Sequence, residues 1–520
     1  MTPFSRWNGE GGSVTLANAE ERWEHAPRAS NQVTKASSRR HAVLPGGALA
    51  IDLEGAGVTY PGAERAALAD VSVAIPAGAF VGVVGRTGSG KTSFGRLVVR
   101  AIAPSRGRVR LGGVDLGSVP EAELRARVAI VAQEPSLFHA TVRENVTLFD
   151  DAVPDATVQA ALVRVADELR RRAVGDQITY VVNRNLNFTN VCIVGCAFCG
   201  FGRQANAPDA YFHSNEKLIE KCLEAVEQGA TEVCIQGGLP KDLDGFYYVN
   251  LLRAIKSRLP DLHVHAYSPM EIVNGVEKTG MPLREYLIML KEAGLGSIPG
   301  TAAEILDDKV RRSLSPNKLK VRQWIEVIRA AHSVGIPTTS TMMYGHTESP
   351  EHWVRHLLLL REIQQETGGF TEFVPLGFIH TQTKLFKGGH ARAGHSIHED
   401  LIVHALSRVL LNGHIRNIQV SWVKLGFEDS LACLEAGAND FGGTLMEESI
   451  SKSAGANFGE YVAPGEFRAL IRSIGRIPAE RATSYATRRV FESADAEERM
   501  PLERIPQVAG DLVGLETLAA

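Results

Sequence analysis

At 520 residues, 44% hydrophobic and 22% charged, with a formal net charge of -3, the chain has the composition of a globular protein of more than one domain. Near-balanced charge gives no electrostatic case for nucleic acid or an anionic membrane as a partner, and no run approaches the ~18 apolar residues of a membrane span. The N-terminal MTPFSRWNGEGGSV lacks the apolar core of a secretion signal, and three of the six cysteines fall within eight residues rather than in a disulfide framework. A reducing, cytoplasmic setting and a small-molecule substrate are therefore expected.

Residues 1–48 are polar, with no sustained apolar period, and are predicted to be disordered. Segment 49–163 contains the apolar run FVGVV at 80–84, predicted to be a strand, which leads into Gly85-Arg86-Thr87-Gly88-Ser89-Gly90-Lys91-Thr92 and then the helical run SFGRLVVRAI. Strand, GxxxxGK[ST] and helix together make a P-loop. The glycines from Gly85 to Gly90 let backbone N–H groups curl around phosphate, Lys91 adds a cation, and the Thr92 hydroxyl is placed for magnesium. The segment resembles the first half of an ABC transporter nucleotide-binding domain. Tyr60 stands where that family stacks an aromatic on adenine, and Gln133 in VAQEPSLF matches its Q-loop. The resemblance implies ATP and magnesium at the P-loop. It ends near residue 163 with no LSGGQ-like signature and no strand ending in Asp-Glu, so nucleotide binding without turnover is expected from this partial P-loop α/β domain.

The pattern changes at a seam near 160–170. From 164 to 495, β-rich runs alternate with helical ones, and 496–520 reads as a tail. Eight runs qualify as strands: TYVVNRNLNF, EVCIQGG, HVHAYS, LGSIPG, PTTSTMMYG, TEFVPLGF, NIQVSWV and DFGGT. Such alternation predicts a (β/α)8 TIM-type barrel. Between the first two strands, Leu218, Ile219, Cys222, Leu223 and Val226 recur at helical spacing, with Gly229 as the stop. In the third, His263, His265 and Tyr267 alternate with Val264 and Ala266, which predicts a polar interior face.

Cys192, Cys196 and Cys199 follow the first strand in the spacing CxxxCxxC. Three thiolates on one loop can hold three irons of a 4Fe-4S cluster and leave the fourth open. A zinc site completed by His213 is the alternative, although no second knuckle is present. Cys222, Cys234 and Cys433 are expected to be small core residues.

The cysteine loop followed by a barrel resembles the radical S-adenosylmethionine (SAM) superfamily. There the SAM amino and carboxylate groups chelate the open iron, and an electron from the cluster cleaves the sulfonium to a 5'-deoxyadenosyl radical. The resemblance places Phe198 near the adenine and gives Gln236, Gly237 and Gly238 the methionyl amino group; Glu304 joins the cofactor-binding residues. YVVNRNLNFTNVCIVGCAFCGFG, HVHAYSPMEI, LGSIPGTAAEIL and GGTLMEESISKSAGA resemble more closely the FO synthase subunit 2 family. These are 5-amino-6-(D-ribitylamino)uracil/L-tyrosine 4-hydroxyphenyl transferases of deazaflavin coenzyme biosynthesis. The resemblance implies L-tyrosine and 5-amino-6-(D-ribitylamino)uracil as substrates, an electron donor, and subunit 1 as the next enzyme. The coproducts would be 2-iminoacetate, methionine and 5'-deoxyadenosine. His265 and Glu271 are the candidates for proton transfer, with Tyr267, Ser268 and Gln419 as further substrate contacts. Glu447 and Glu448 are read as caps of the helix after strand eight. The menaquinone-pathway relatives, dehypoxanthine futalosine cyclase and aminofutalosine synthase, and a non-enzymatic nucleotide-binding module stay open as alternatives.

Overall fold

A computed structural model describes residues 42–79, 81–84, 89–128, 143, 147 and 150–493. The chain divides by backbone contact into two units, Met1–Ala140 and Thr141–Ala520.

In the first unit, β1 (Ile51–Val58) pairs antiparallel with β2 (Leu68–Ile75) and with β3 (Arg106–Leu111), and β3 pairs with β4 (Val114–Asp115). Leu53 and Val58 of β1, with Val109 and Leu111 of β3, pack with Leu97 of the helix Lys91–Val98 and with Leu116 and Leu124. The strand expected at 80–84 does not form at its described residues: 81–84 carry no strand pairing, and Val84 is 93% exposed. The reason is the truncation seen in the sequence. A P-loop strand is buried between parallel neighbours, and among the described residues no strand lies beside this one. The expectations for 1–41 and for the tail from 494 concern segments outside the described residues.

The second unit is the expected barrel with one strand broken and one nearly lost. β5 (Gln177–Val181) and β6 (Asn183–Asn187) are two halves of strand one. β6 pairs in parallel with β7 (Glu232–Gln236), and β7 with β8 (His263–Ala266). The fourth position is reduced to two bridges, His265 to Ser297 and Ile298 to Thr338, because Pro299 between Ile298 and Gly300 cannot extend a ladder. β9 (Thr338–Tyr344), β10 (Phe370–Gly377) and β11 (Asn417–Ile418) follow in parallel, and a Gln419 to Asp440 bridge leads to β12 (Asp440–Gly443), which pairs back onto β5. The ring is thus closed.

Alternate residues of each strand point to opposite sides. Val233, Ile235, Val264, Ala266, Met342, Phe373, Ile418 and Phe441 pack outward into the core shared with the helices. The helix Asn215–Glu227 shows how that core is read from the chain: the Ser214 side chain caps it through Lys217 N–H, and Leu218, Cys222, Ala225 and Val226 form its buried stripe. Inward stand Asn183, Asn185, Glu232, Cys234, Gln236, Thr339, Thr341, Glu372 and Val374. Barrels are usually filled by layers of branched apolar side chains, and this polar lining leaves a cavity of about 430 Å³ instead.

The floor is closed by a feature outside the eight-strand reading. β13 (Ile477–Arg481) runs parallel to β5, and β14 (Thr487–Val490) folds back antiparallel on it. Arg481 at the end of β13 donates to both oxygens of Asp440, Nε to Oδ2 at 2.6 Å and Nη2 to Oδ1 at 3.0 Å. It lies 3.6 Å from Glu372 and stacks 4.0 Å over the Tyr485 ring. Both members of the main pair are buried, so removing one leaves the other charged in a low-dielectric site. Arg481→Met is expected to lower unfolding stability by about 3–5 kcal/mol, measured by urea denaturation of the full chain; a loss below about 1 kcal/mol, typical of exposed pairs, would show that the floor is not clamped this way.

Candidate active site

The cysteine loop leaves β6 and is fixed by backbone hydrogen bonds on several sides. Cys192 N donates to Arg203 O at 2.9 Å, Ile193 N to Leu239 O at 3.0 Å and Ala197 N to Leu314 O at 2.8 Å, while Leu385 N donates to Ala197 O at 2.8 Å. Gly200 is obligatory, since a Cβ there would sit 2.5 Å from Ser453 O. Cys192, Cys196 and Cys199 are all free and half-buried, and all three line the barrel cavity. Gly202 N donates to Cys199 Sγ at 3.4 Å, an N–H group suited to a thiolate. Among the described residues no three His, Cys, Asp or Glu side chains gather as a group for a single metal ion; thiols that bind different irons of one cluster do not need to converge on a point. His213, the fourth ligand of the zinc alternative, stacks 4.6 Å from Tyr211 and is not among the cavity residues.

Beside the cysteine loop, β7 ends at Gln236 and runs on into Gly237 and Gly238. A Cβ on Gly237 would lie 2.5 Å from the Phe188 ring, and one on Gly238 would lie 2.1 Å from Val191 O and 3.1 Å from Cys192 Cβ. The glycines therefore let this turn pack directly against the start of the cysteine loop. Gln236 is aimed by Thr301 Oγ1, which donates to its Oε1 at 3.1 Å. Glu271 accepts from Ser268 N and Ser268 Oγ, both at 2.7 Å, and from Gly237 N at 3.1 Å. It is the N3 residue of a capping box on the helix Pro269–Thr279, so the chain uses it to hold the glycine turn. Burial pushes its carboxyl up to about 7, against the Ser268 donors.

Glu304, with φ 41, accepts from Lys318 Nζ at 2.7 Å and lies 3.3 Å from Arg311. The Lys318 ammonium also stands 5.1 Å over the Phe198 ring. Phe198, Gln236, Gly237, Gly238, Glu271 and Glu304 thus line one cavity with the three cysteines. Lys318 joins them unanticipated, and nothing in the sequence around it sets it apart.

His265 lines the same cavity with its Nδ1 2.6 Å from Ser297 Oγ, and burial holds its imidazole down at about 4, with Glu232 opposing. Tyr267 goes elsewhere than expected: the strand ends before it, its φ is 62, and its hydroxyl donates to Tyr248 O at 2.9 Å inside an aromatic core. Ser268 and Gln419 border the cavity. Cys222 and Cys433 are buried core residues as expected, whereas Cys234 faces the cavity. Glu448 caps the next helix through Ser451 N at 2.7 Å, while Glu447 pairs with Lys221 and Arg184. Glu232, Glu372, Arg481 and Lys424 were missed. The period-2 pattern of Glu232, Cys234 and Gln236 carried the signal for the first of them.

In the N-terminal unit, Gly90 (φ 90) caps the helix that begins with Lys91 and Thr92, and Tyr60 Oη lies 3.2 Å from Ser93 Oγ. Gly85 and Gln133 lie outside the described residues.

Residues 186–360 match the family model of the radical SAM superfamily, 367–494 that of the CofH/MqnC C-terminal region, and 68–185 that of the ABC transporter. Among solved structures, the FeFe-hydrogenase maturase HydG from Carboxydothermus hydrogenoformans aligns with a TM-score of 0.51 at 15% identity, covering 65% of this chain and 75% of that one. Methylornithine synthase aligns with 0.50 at 17% identity, covering 65% and 93%. Both show the barrel fold. The FO synthase of Mycobacterium leprae is 53% identical over 337 residues, which is 65% of this chain but only 39% of that longer protein. The 5-amino-6-(D-ribitylamino)uracil–L-tyrosine 4-hydroxyphenyl transferase of Methanothermobacter thermautotrophicus is 53% identical over 325 residues, 62% of this chain and 89% of the relative. The enzyme of that name from Methanocaldococcus jannaschii is 50% identical over 346 residues, 66% of this chain and 95% of the relative. At this identity, over nearly the whole length of the two single-domain relatives, the chain belongs to the 5-amino-6-(D-ribitylamino)uracil–L-tyrosine 4-hydroxyphenyl transferase family of the radical SAM superfamily.

Proposed function

We propose that the barrel transfers the 4-hydroxybenzyl group of L-tyrosine to carbon 5 of 5-amino-6-(D-ribitylamino)uracil, a cytoplasmic step of deazaflavin coenzyme biosynthesis whose product passes to FO synthase subunit 1. The observation that carries this reading is that the three-cysteine loop and a polar-floored cavity of about 430 Å³ form one enclosure. Its mouth suits a redox cofactor and its floor a polyhydroxylated, hydrogen-bonding substrate.

The donor set fits the cofactors of the superfamily: Cys192, Cys196 and Cys199 would hold a 4Fe-4S cluster, and Phe198, Gln236, Gly237, Gly238 and Glu304 would hold SAM beside it. Given an electron from a donor protein, the two supply a carbon-centred radical. The chain's own side chains do the rest. Glu271 fixes the glycine turn, and the buried Lys318–Glu304 pair stiffens the wall behind Phe198. Asn183, Glu232, Glu372, Thr339 and Thr341 offer donors and acceptors to the uracil ring and ribityl hydroxyls, while Val374, Leu376 and Phe378 offer an apolar side for the phenol ring. The β13–β14 hairpin closes the floor and shields a radical from solvent. The P-loop segment is proposed to bind ATP and magnesium at most, without turnover.

Anaerobically reconstituted protein given SAM, reductant and both substrates is expected to form a hydroxybenzyl-uracil adduct by mass spectrometry, and 5'-deoxyadenosine only when tyrosine is present. SAM cleavage without adduct would sink the assignment and point to the menaquinone-pathway relatives. Cys196→Ser is expected to lose the cluster's visible absorption and all SAM cleavage, whereas Lys91→Ala leaves adduct formation unchanged. Gly238→Ala, which forces its new methyl against Val191 O, is expected to slow SAM cleavage on the order of 100-fold; an unchanged rate would show that the turn does not position SAM.

A further inference from the structure

We propose that His265, Ser297 and His263 form a proton relay joining the reaction cavity to a second, solvent-side cleft at the floor of the barrel. His265 Nδ1 lies 2.6 Å from Ser297 Oγ, and the same oxygen lies 2.8 Å from His263 Nε2. A hydroxyl carries one proton, so it accepts from one imidazole while donating to the other, and the chain of bonds has a direction. His265 is buried on the cavity side. His263 is half-buried and lines a separate cleft of about 280 Å³ whose rim includes the exposed Pro260, Asp261, Ser484 and Arg488. Thr483 borders both spaces, so the wall between them is one side chain thick at that point.

The site is built to keep this arrangement. A Cβ on Gly296 would lie 2.5–2.8 Å from three atoms of the His263 ring, so glycine there makes room for the imidazole. Burial lowers the proton affinity of both rings, with Glu232 opposing in each case and Lys256 adding to the effect on His263. Both therefore rest neutral at physiological pH, able to take up a proton and pass it on.

The relay rests on the proposed reaction, which needs an exit for a proton. Atoms balance when tyrosine, ribitylaminouracil and the sulfonium cofactor give 2-iminoacetate, methionine, 5'-deoxyadenosine, the hydroxybenzyl adduct in its imine form, and one proton; no net oxidant is required. The sulfonium's positive charge leaves as that proton. As carbon 5 gains its new bond, the N–H at position 6 breaks and a C=N bond forms there, the proton leaving by the relay and the one remaining electron making good the electron that the sulfonium took up. The proton passes to His265 Nε2, His265 Nδ1–H donates to Ser297 Oγ, the Ser297 hydroxyl proton moves to His263 Nε2, and His263 Nδ1–H is released to water in the cleft.

The test uses the reconstituted full-length enzyme and follows adduct formation. His263→Ala is expected to form adduct at least about tenfold more slowly, with its cluster absorption and circular dichroism unchanged, and imidazole added to the buffer should restore the rate by entering the vacated cleft. His263→Gln, which keeps a hydrogen bond to Ser297 but has no basic nitrogen to take up and release a proton, should be slow as well, and serves if the alanine variant is unfolded. A wild-type rate in either folded variant, or a slow alanine variant that imidazole does not rescue, would overturn the relay. Wild-type enzyme that makes no adduct would overturn the functional reading itself, which separates the two failures.

Discussion

A barrel that is to hold chemistry rather than pack itself solid must satisfy buried polar groups without help from bulk water, and the Arg481–Asp440 pair is where this chain meets that demand. A guanidinium with five donors can serve several buried acceptors at once. Here it takes Asp440 in a two-point contact, stands beside Glu372 and stacks on Tyr485, whose hydroxyl also donates to Glu372. Thr483, on the same turn, donates to Glu232, which Asn183 also reaches at 3.0 Å. Through these contacts one C-terminal hairpin pairs with or hydrogen-bonds carboxylates from β7, β10 and β12 and closes the floor. Without it the inward carboxylates would repel one another in an open tube.

At the other end the constraint is steric. The cysteine loop can lie across the barrel mouth only because backbone meets backbone with no side chain between. Gly238 against Val191 O and Gly200 against Ser453 O are two such approaches, and Gly237 leaves room beside them for the Phe188 ring. Glu271 then locks the turn by accepting from Gly237 N while capping its own helix. A carboxylate that already serves three N–H and O–H donors has little capacity left for proton transfer. Of the two acid–base candidates, the geometry thus favours His265, whose Nδ1 is occupied and whose other nitrogen is left for the cavity.

The barrel's class, its cysteine loop and its glycine turn were legible in the chain because each depends on local spacing: CxxxCxxC, paired glycines at a strand end, and alternating β-rich and helical runs. What could not be read depends on residues distant in sequence. Arg481 and Asp440 are far apart along the chain, and Lys318 and Glu304 meet across a loop and a helix. The fourth strand was over-read because LGSIPG has β-rich composition, yet Pro299 and the adjacent glycine leave it only bridges. Tyr267 was misplaced for a similar reason. Strict alternation would turn it inward, but a left-handed backbone at that residue sends the ring into the helix-side aromatic core.

The same distinction between local signal and long-range completion explains why the two patterns in this chain fare so differently. A P-loop motif is local, and the helix from Lys91 with its Gly90 cap forms as the motif dictates. Its strand is not local in that sense, since an apolar strand is stable only between neighbours that bury it. With no strand beside them among the described residues, Val81, Val83 and Val84 stay exposed. The barrel has every neighbour it needs, down to the β12–β5 pairing that closes the ring. Catalytic competence should therefore reside where the hydrogen-bonded ring is complete, and a recognisable motif elsewhere in the chain is no substitute for the sheet that would have to present it.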